Sequence, residues 1–509
     1  MSPVQFPSRP ASFDGFVHRA GTQLVDGSGR LLLLRGMGVG NWMLPEGYMW
    51  RFGPGAESPR EIEALVSRLI PDSAAAFWRG FQQNFFTESD VQRIAESGFD
   101  HLRLPINSRL LIDDDGAFIE AGFAMIDDTI RWSRTHGLWV LLDLHGAPGG
   151  QTGTNIDDSP NNKPELFMEV RYRNLTIALW TEIARRYADE TVVLGYDLLN
   201  EPIPNEWTKL YNPELARLYK DLTAAIRTVD DKHLIMYEGS HWATNWEIFT
   251  EVWDENSCLQ FHKYWSPPDT ATIAHFLEAR SRLGLPIYMG EGGENNLEWL
   301  YTAWRLYESN GIGWNFWPWK KIDTRTSPAS ITPPARWAEL VEHVAGGPAP
   351  ENPQAIFDEL LENMKLENCV WQPAIVQAIT AVEPQQIPAW GFGYRGAGES
   401  YATASSVPLE AMRDTDAVTI SYLEPATRVG HWFEQTDGRD YAPSERMAVT
   451  LDAGDWLEYE LDGAVDVARI TVDDGTAPVV VAVSERGFTV TATAPVTFAR
   501  IQISAEPIG

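Results

Sequence analysis

The chain has 509 residues, enough for two or three domains, and 44% of them are hydrophobic, enough to bury large cores. A formal charge of −31 argues against nucleic acid and against anionic membrane surfaces as partners. The two cysteines, Cys258 and Cys369, lie far apart with no metal-like spacing, so neither a disulfide framework nor a zinc site is suggested.

The first ten residues lack the apolar core of a signal peptide, and no run of 18 apolar residues is present to span a bilayer. The sequence therefore reads as soluble and cytoplasmic, or as secreted where a leader has been removed. Its 21 Trp, 16 Tyr and 21 Phe supply flat apolar faces of the kind that also hold sugars.

In chain order, residues 16–25 and 30–34 read as a hairpin around Asp26-Gly27-Ser28-Gly29, and the second arm runs on to Gly40. Residues 43–86 read as a long aromatic loop with short helices. Thr87, with acidic Asp90 three residues on, then opens a helix that ends at Gly98. Beyond it, strands at 99–106, 138–144, 192–199, 233–238, 259–265, 286–291 and 313–319 alternate with helices. Those helices fall at 123–135, 175–187, 215–229, 245–253, 271–283, 297–309 and 336–344, and a polar loop covers 147–170.

With the arm at 30–40 this makes eight strands, mostly continuous apolar runs as in a parallel sheet buried on both faces. Eight such units in roughly 320 residues predict an α/β fold, a closed (β/α)8 TIM barrel. A doubly wound open sheet is the alternative. Residues 35–40 are glycine-rich, but they lack G-x-G-x-x-G spacing and open no helix.

A break at residues 346–350 precedes helical stretches at 353–364 and 373–379 and a Pro/Gly-rich linker at 384–398. From residue 417 the segments turn short and alternating, at 418–422, 448–451, 456–461, 468–472, 479–483, 488–492 and 498–503, which predicts an antiparallel β-sandwich. The domain reading is a catalytic barrel over 1–350, a connector over 351–390 and a sandwich over 391–509.

A barrel collects the C-terminal ends of its strands on one face. That face receives Arg103, His145, Asn200, Glu201, His262, Tyr264, Glu291 and Trp317. Glu201 sits in Asn200-Glu201-Pro202, where the proline ends the strand for want of an N–H. Glu291 follows apolar Ile287-Tyr288-Met289, and a charge there needs partners.

Two carboxylates among donors and aromatics suit glycosidic cleavage, in which one protonates the leaving oxygen and the other attacks or activates water. Arg103 beside Glu291 is expected to hold that carboxylate ionised, with Tyr264 hydrogen-bonded to the same group. Asn200 is placed to meet a sugar 2-hydroxyl, and Trp317, rather than Trp319, to stack on a ring.

This ordered set resembles glycoside hydrolase family 5 over residues 16–345: an Arg, a His, an Asn-Glu pair, a His-x-Tyr, a second Glu and a Trp. The resemblance implies a retaining (β/α)8 hydrolase with Glu201 as acid/base and Glu291 as nucleophile. It implies a carbohydrate or glycoside substrate, no cofactor and no metal. The stretch at 143–153 resembles the exo-acting β-glucosidase and β-1,3-glucanase branches. It also resembles a furanosidase branch (α-L-arabinofuranosidase or β-D-galactofuranosidase).

Trp242, Trp265, Asn295, Glu238, Glu294, Asn296 and Lys320 are further candidates for the mouth. Residues 452–459 resemble part of a family 6 carbohydrate-binding module, although this apolar run also suits Trp456 to a place in the core. A non-catalytic carbohydrate-binding protein is the competing class. Sequence leaves the oligomeric state open.

Overall fold

The computed structural model describes residues 13–384, 386–404, 406–409, 412–424 and 433–505. Eight parallel strands close a barrel in chain order. They are β1 (Arg35–Gly38), β2 (His101–Asn107), β3 (Trp139–Gly146), β4 (Val193–Asp197), β5 (Leu234–Glu238), β6 (Ser257–His262), β7 (Ile287–Gly293) and β8 (Gly313–Trp317). All eight residues of β3 are buried, as expected of a strand covered on both faces.

The floor of the barrel is apolar. Leu34, Leu141, Leu194, Leu234, Met236, Cys258 and Tyr288 form a core that Val17 and Leu24 of the N-terminal hairpin join. Side chains alternate along a strand, so each inward row climbs from this floor to the mouth. On β3 the row is Leu141, Asp143, His145; on β6 it is Cys258, Gln260, His262. Apolar floor thus grades into a buried polar layer and then into the cleft.

Glu291 breaks the alternation. The β6–β7 register shifts between Met289 and Glu291, the kind of irregularity that re-aims a side chain beside an active site. Gly290 must lack a side chain here, because a Cβ would lie 2.1 Å from the Gln260 side chain.

The aromatic stretch after β1 is more ordered than a loop. It contains helices Pro59–Leu69 and Ala74–Phe85, the first opened by a complete Ser58/Glu61 capping box with proline at its first position. The expected helix at 245–253 does not form. His241, Trp242 and Ala243 take φ of 52°, 58° and 61°, and the chain closes small bridges between Gly239 and Ala243 and between Ser240 and Asn245.

The stretch expected to be a linker at 384–398 instead supplies strand Gln386–Pro388, which pairs antiparallel with Arg500–Ile503. That pairing belongs to a C-terminal sandwich of three antiparallel sheets. Tyr459 stacks on Phe488 inside it, while Trp456 is half-buried.

The sandwich docks on helix Leu297–Ser309, which follows β7. Tyr301 Oη donates to the Glu460 carbonyl at 2.8 Å, and Arg500 Nε donates to Glu298 Oε1 at 3.0 Å. Ahead of it, Phe357 of helix Pro353–Asn363 packs on Phe77 with ring centroids 4.9 Å apart, tying that stretch to the barrel wall. Among the described residues no helix is long and apolar enough to cross a membrane.

Candidate active site

Arg103, fully buried on β2, organises the polar layer. Its Nε donates to Asp197 Oδ2 at 2.9 Å, Nη1 to Glu291 Oε2 at 2.8 Å, and Nη2 to Asn200 Oδ1 at 2.9 Å and Glu238 Oε1 at 3.1 Å. Asp143 lies 3.2 Å from Nη2 and also holds His145 Nδ1 at 2.7 Å. Removing the guanidinium would strand several buried carboxylates, so its cost exceeds that of any single bond.

Above Arg103, Glu201 and Glu291 face each other across His262. One oxygen of each carboxylate and one nitrogen of His262 lie within 4.8 Å of one another. His262 Nδ1 contacts Glu201 Oε1 at 2.7 Å and lies 3.9 Å from Glu291 Oε2, while its Nε2 lies 3.2 Å from Glu238 Oε1. Tyr264 Oη donates to Glu291 Oε1 at 2.8 Å. Glu201 sits at φ 44°, a strained backbone for a non-glycine residue, and its N–H donates to Glu238 Oε2 at 2.7 Å.

A cavity of about 490 Å³ opens over this pair. Its walls include His145, Trp242, Tyr264, Trp265 and Trp317, together with Asn155 and Ile156 from the loop after β3. Trp317 stacks on His145 with centroids 5.3 Å apart and planes 10° apart, and its Nε1 donates to Tyr48 Oη at 2.9 Å. Trp319 points away, buried with its indole N–H on Asp90.

Burial drives the electrostatics. It pushes Glu291 above the usual carboxylate value, with Glu201 adding to the rise, against the pull of His262 and Arg103. The expectation that Arg103 holds Glu291 ionised is therefore met in contact and opposed by desolvation. Burial lowers His145 to about 4 and so keeps it neutral. Burial also opposes charge on His262, but Glu238, Glu291 and Glu201 raise it well above the ordinary imidazole value. Asp143 rises to about 7 by burial, even with Arg103 beside it.

Glu201, His262 and Glu291 are the side chains in which metal-ligand chemistry is grouped among the described residues. His262 Nδ1 is engaged with Glu201, and the anions around the ring favour its charged form, which has no lone pair for a cation.

Of the residues expected from sequence, Arg103, His145, Asn200, Glu201, His262, Tyr264, Glu291, Trp317, Trp242 and Trp265 line the cavity or support it from below. Asn295 does not. It is fully buried, its amide donates to the Phe433 carbonyl, and it tethers the sandwich instead of reaching the cleft. Asn296 caps the following helix through Trp299 N, and Lys320 is buried on Asp90. Glu238 lies beneath the cleft as a support.

Sequence reading overlooked Glu46 and Tyr48, which reach the cavity from the loop after β1. Burial raises Glu46 well above the ordinary carboxylate value, with Glu291, Glu294 and Glu201 adding to the rise, which favours its protonated form. Its Oε1 is buried and takes no hydrogen bond among the described residues. A carboxyl eight residues past the end of β1, in an irregular loop, has no local signature.

The family described as cellulase, glycosyl hydrolase family 5, matches residues 71–323. A β-xylosidase of Phanerodontia chrysosporium is 32% identical over 251 residues, covering 48% of this chain and 51% of that protein. A probable glucan 1,3-β-glucosidase A of Aspergillus clavatus is 26% identical over 237 residues, covering 46% of this chain and 55% of that protein. The chain thus spans about half the length of these relatives. The solved endoglucanase Cel5A of Thermotoga maritima aligns with 21% identity and a TM-score of 0.42 over 56% of this chain and 89% of its own. The barrel of this chain belongs to glycosyl hydrolase family 5.

Proposed function

We propose that the chain is a retaining glycoside hydrolase that cleaves small glycosides or the ends of oligosaccharides by double displacement. Glu201 protonates the leaving oxygen, Glu291 attacks the anomeric carbon, and Glu201 then activates the water that releases the sugar. The observation that carries this reading is that one oxygen of each carboxylate lies within 4.8 Å of the other. Inverting enzymes keep about 6.5–9.5 Å between theirs to admit a water.

The surroundings fit those roles. Arg103 and Tyr264 each donate to Glu291, and Asn200, fixed by Arg103, faces the sugar 2-hydroxyl. Trp317 offers its ring to the sugar face, and Glu46 lines the cavity within reach of a sugar hydroxyl. The exo-like character rests on the walling of one side by the loop that carries Asn155 and Ile156.

The test is a panel of p-nitrophenyl pyranosides and furanosides with Glu291→Gln as control. Hydrolysis of a β-gluco- or β-xylopyranoside, lost in the variant, supports the reading. Preference for a furanoside would move the substrate to the arabinofuranosidase or galactofuranosidase alternative. Full activity of Glu291→Gln would reject the mechanism.

A further inference from the structure

Below the cleft, four side chains form a hydrogen-bonded relay. Arg103 Nη2 donates to Asn200 Oδ1 at 2.9 Å, Asn200 Nδ2 lies 3.3 Å from His145 Nε2, and His145 Nδ1 lies 2.7 Å from Asp143 Oδ2. We infer that Asp143 is a positioning residue: it fixes the tautomer of His145 and, through it, the side-chain amide that Asn200 presents to the sugar 2-hydroxyl. This rests on the glycosidase roles proposed for Glu201 and Glu291 and on the place proposed for Asn200.

The direction of the relay is forced from its Arg103 end. A guanidinium carries only donors, so Asn200 must turn Oδ1 to Arg103 and Nδ2 to His145. His145 Nε2 must then accept, which puts the ring proton on Nδ1 and makes Asp143 Oδ2 its acceptor. A charged imidazole would break the relay for want of an acceptor, and burial prevents this by lowering His145 to about 4. Burial also raises Asp143 to about 7. A proton taken up there goes to Oδ1, which has no hydrogen bond among the described residues, and leaves the link through Oδ2 intact.

The frame around the relay is fixed. Asp143 and His145 alternate with Leu144 on β3, so both project into the barrel. The Asn200 N–H donates to the Leu144 carbonyl at 3.1 Å, and the Asn200 carbonyl accepts from Gln151 Nε2 at 3.0 Å. What remains free in Asn200 is the turn of its side-chain amide, and the tautomer of His145 decides it. In the orientation shown, one N–H of Nδ2 is spent on His145 and the other is left for the substrate. Trp317 stacks on the same imidazole with planes 10° apart, so His145 braces both proposed sugar contacts.

An apolar side chain at position 143 would take away the acceptor. The ring proton would move to Nε2, where it meets Asn200 Nδ2, donor against donor. Turning the amide over would set Nδ2 against Arg103 instead, so a buried donor is left unmet either way. Asparagine differs, because its amide oxygen can stand where Oδ2 does and accept from His145 Nδ1 and from Arg103 Nη2, 3.2 Å away.

The experiment measures the ratio of kcat/KM on p-nitrophenyl β-D-glucopyranoside to that on its 2-deoxy analogue, with the xylopyranoside pair alongside. Asp143→Leu should lower this ratio about tenfold, because only the first substrate uses Asn200. Asp143→Ala should move it in the same direction, and Asp143→Asn should keep it within about threefold of the parent. Asp197→Asn removes another anion from Arg103 but lies off the relay, so the ratio should hold whatever the variant costs in rate. A ratio that holds in Asp143→Leu, or that falls alike in Asp143→Asn and Asp197→Asn, would overturn the positioning role. Long-range ¹H–¹⁵N spectra should show His145 protonated at Nδ1 in the parent and at Nε2 in Asp143→Leu. Protonation at Nε2 in the parent would overturn the relay independently of any activity. Cleavage of no probe by the parent would overturn the glycosidase roles on which the relay's purpose rests.

Discussion

Glu238 Oε2 accepts the main-chain N–H of Glu201 at 2.7 Å while Glu238 Oε1 lies 3.2 Å from His262 Nε2. One buried carboxylate on β5 thereby fixes the strained backbone of the proposed acid and keeps its histidine neighbour charged. Glu238→Gln removes the anion that does most to raise His262. The imidazole value should fall, because an anion that favours the charged form is gone. NMR titration should then find His262 losing its proton at lower pH than in the parent, with a new basic limb in kcat/KM. Identical titration in both proteins would show that Glu238 does not set this charge.

The acid limb of kcat/KM should report Glu291, which must be ionised to attack. Burial raises it, so the limb should lie above the ordinary glutamate value of about 4.3. His262→Gln removes the cation that most lowers Glu291 and should carry the limb further up. A limb that stays in place would remove His262 from the control of Glu291.

General acid catalysis matters in proportion to the basicity of the leaving group. Glu201→Gln should lose roughly 10²–10⁴-fold on an alkyl glycoside. It should lose far less in the glycosylation step of a p-nitrophenyl glycoside, whose leaving group departs without a proton. Pre-steady-state bursts on the two substrates measure the difference. Equal losses would assign Glu201 another role.

Much of this was legible in the sequence because barrel chemistry sits at strand ends. Once eight apolar strands were counted, Arg103, Asn200, Glu201, His262 and Glu291 fell on one rim, and their convergence follows from topology alone. Helix Pro59–Leu69 could also have been read, since Ser58, Pro59 and Glu61 spell its start. Asn295 could not. Its neighbour Glu294 lines the cleft, but its own amide is claimed by the Phe433 carbonyl, 138 residues away. The helix expected at 245–253 failed for a related reason, since three consecutive positive φ values before it turn the chain into local bridges and carry Trp242 to the cavity. Glu46 became visible only through the burial of its carboxyl at the cavity wall.

Trp317 is held in place by glycines on β1 and just beyond it. A Cβ on Gly40 would come within 2.6 Å of the Trp317 ring, and one on Gly38 equally close. Gly40→Ala should displace the indole, raise KM on any glycoside that stacks there and break the bond to Tyr48. Its effect should match that of Trp317→Ala to within about threefold, since both remove the same platform. An unchanged KM in Gly40→Ala would mean that the ring contributes no sugar contact.

The proposed mechanism stands or falls on whether Glu291 forms a glycosyl-enzyme beside Glu201. The decisive measurement is ¹H NMR of the sugar anomer released first from an aryl β-glycoside, recorded before mutarotation. Double displacement predicts the β-anomer, followed by slow appearance of the α-anomer. An α-anomer formed first would mean that water attacks directly, and double displacement through Glu291 would be wrong.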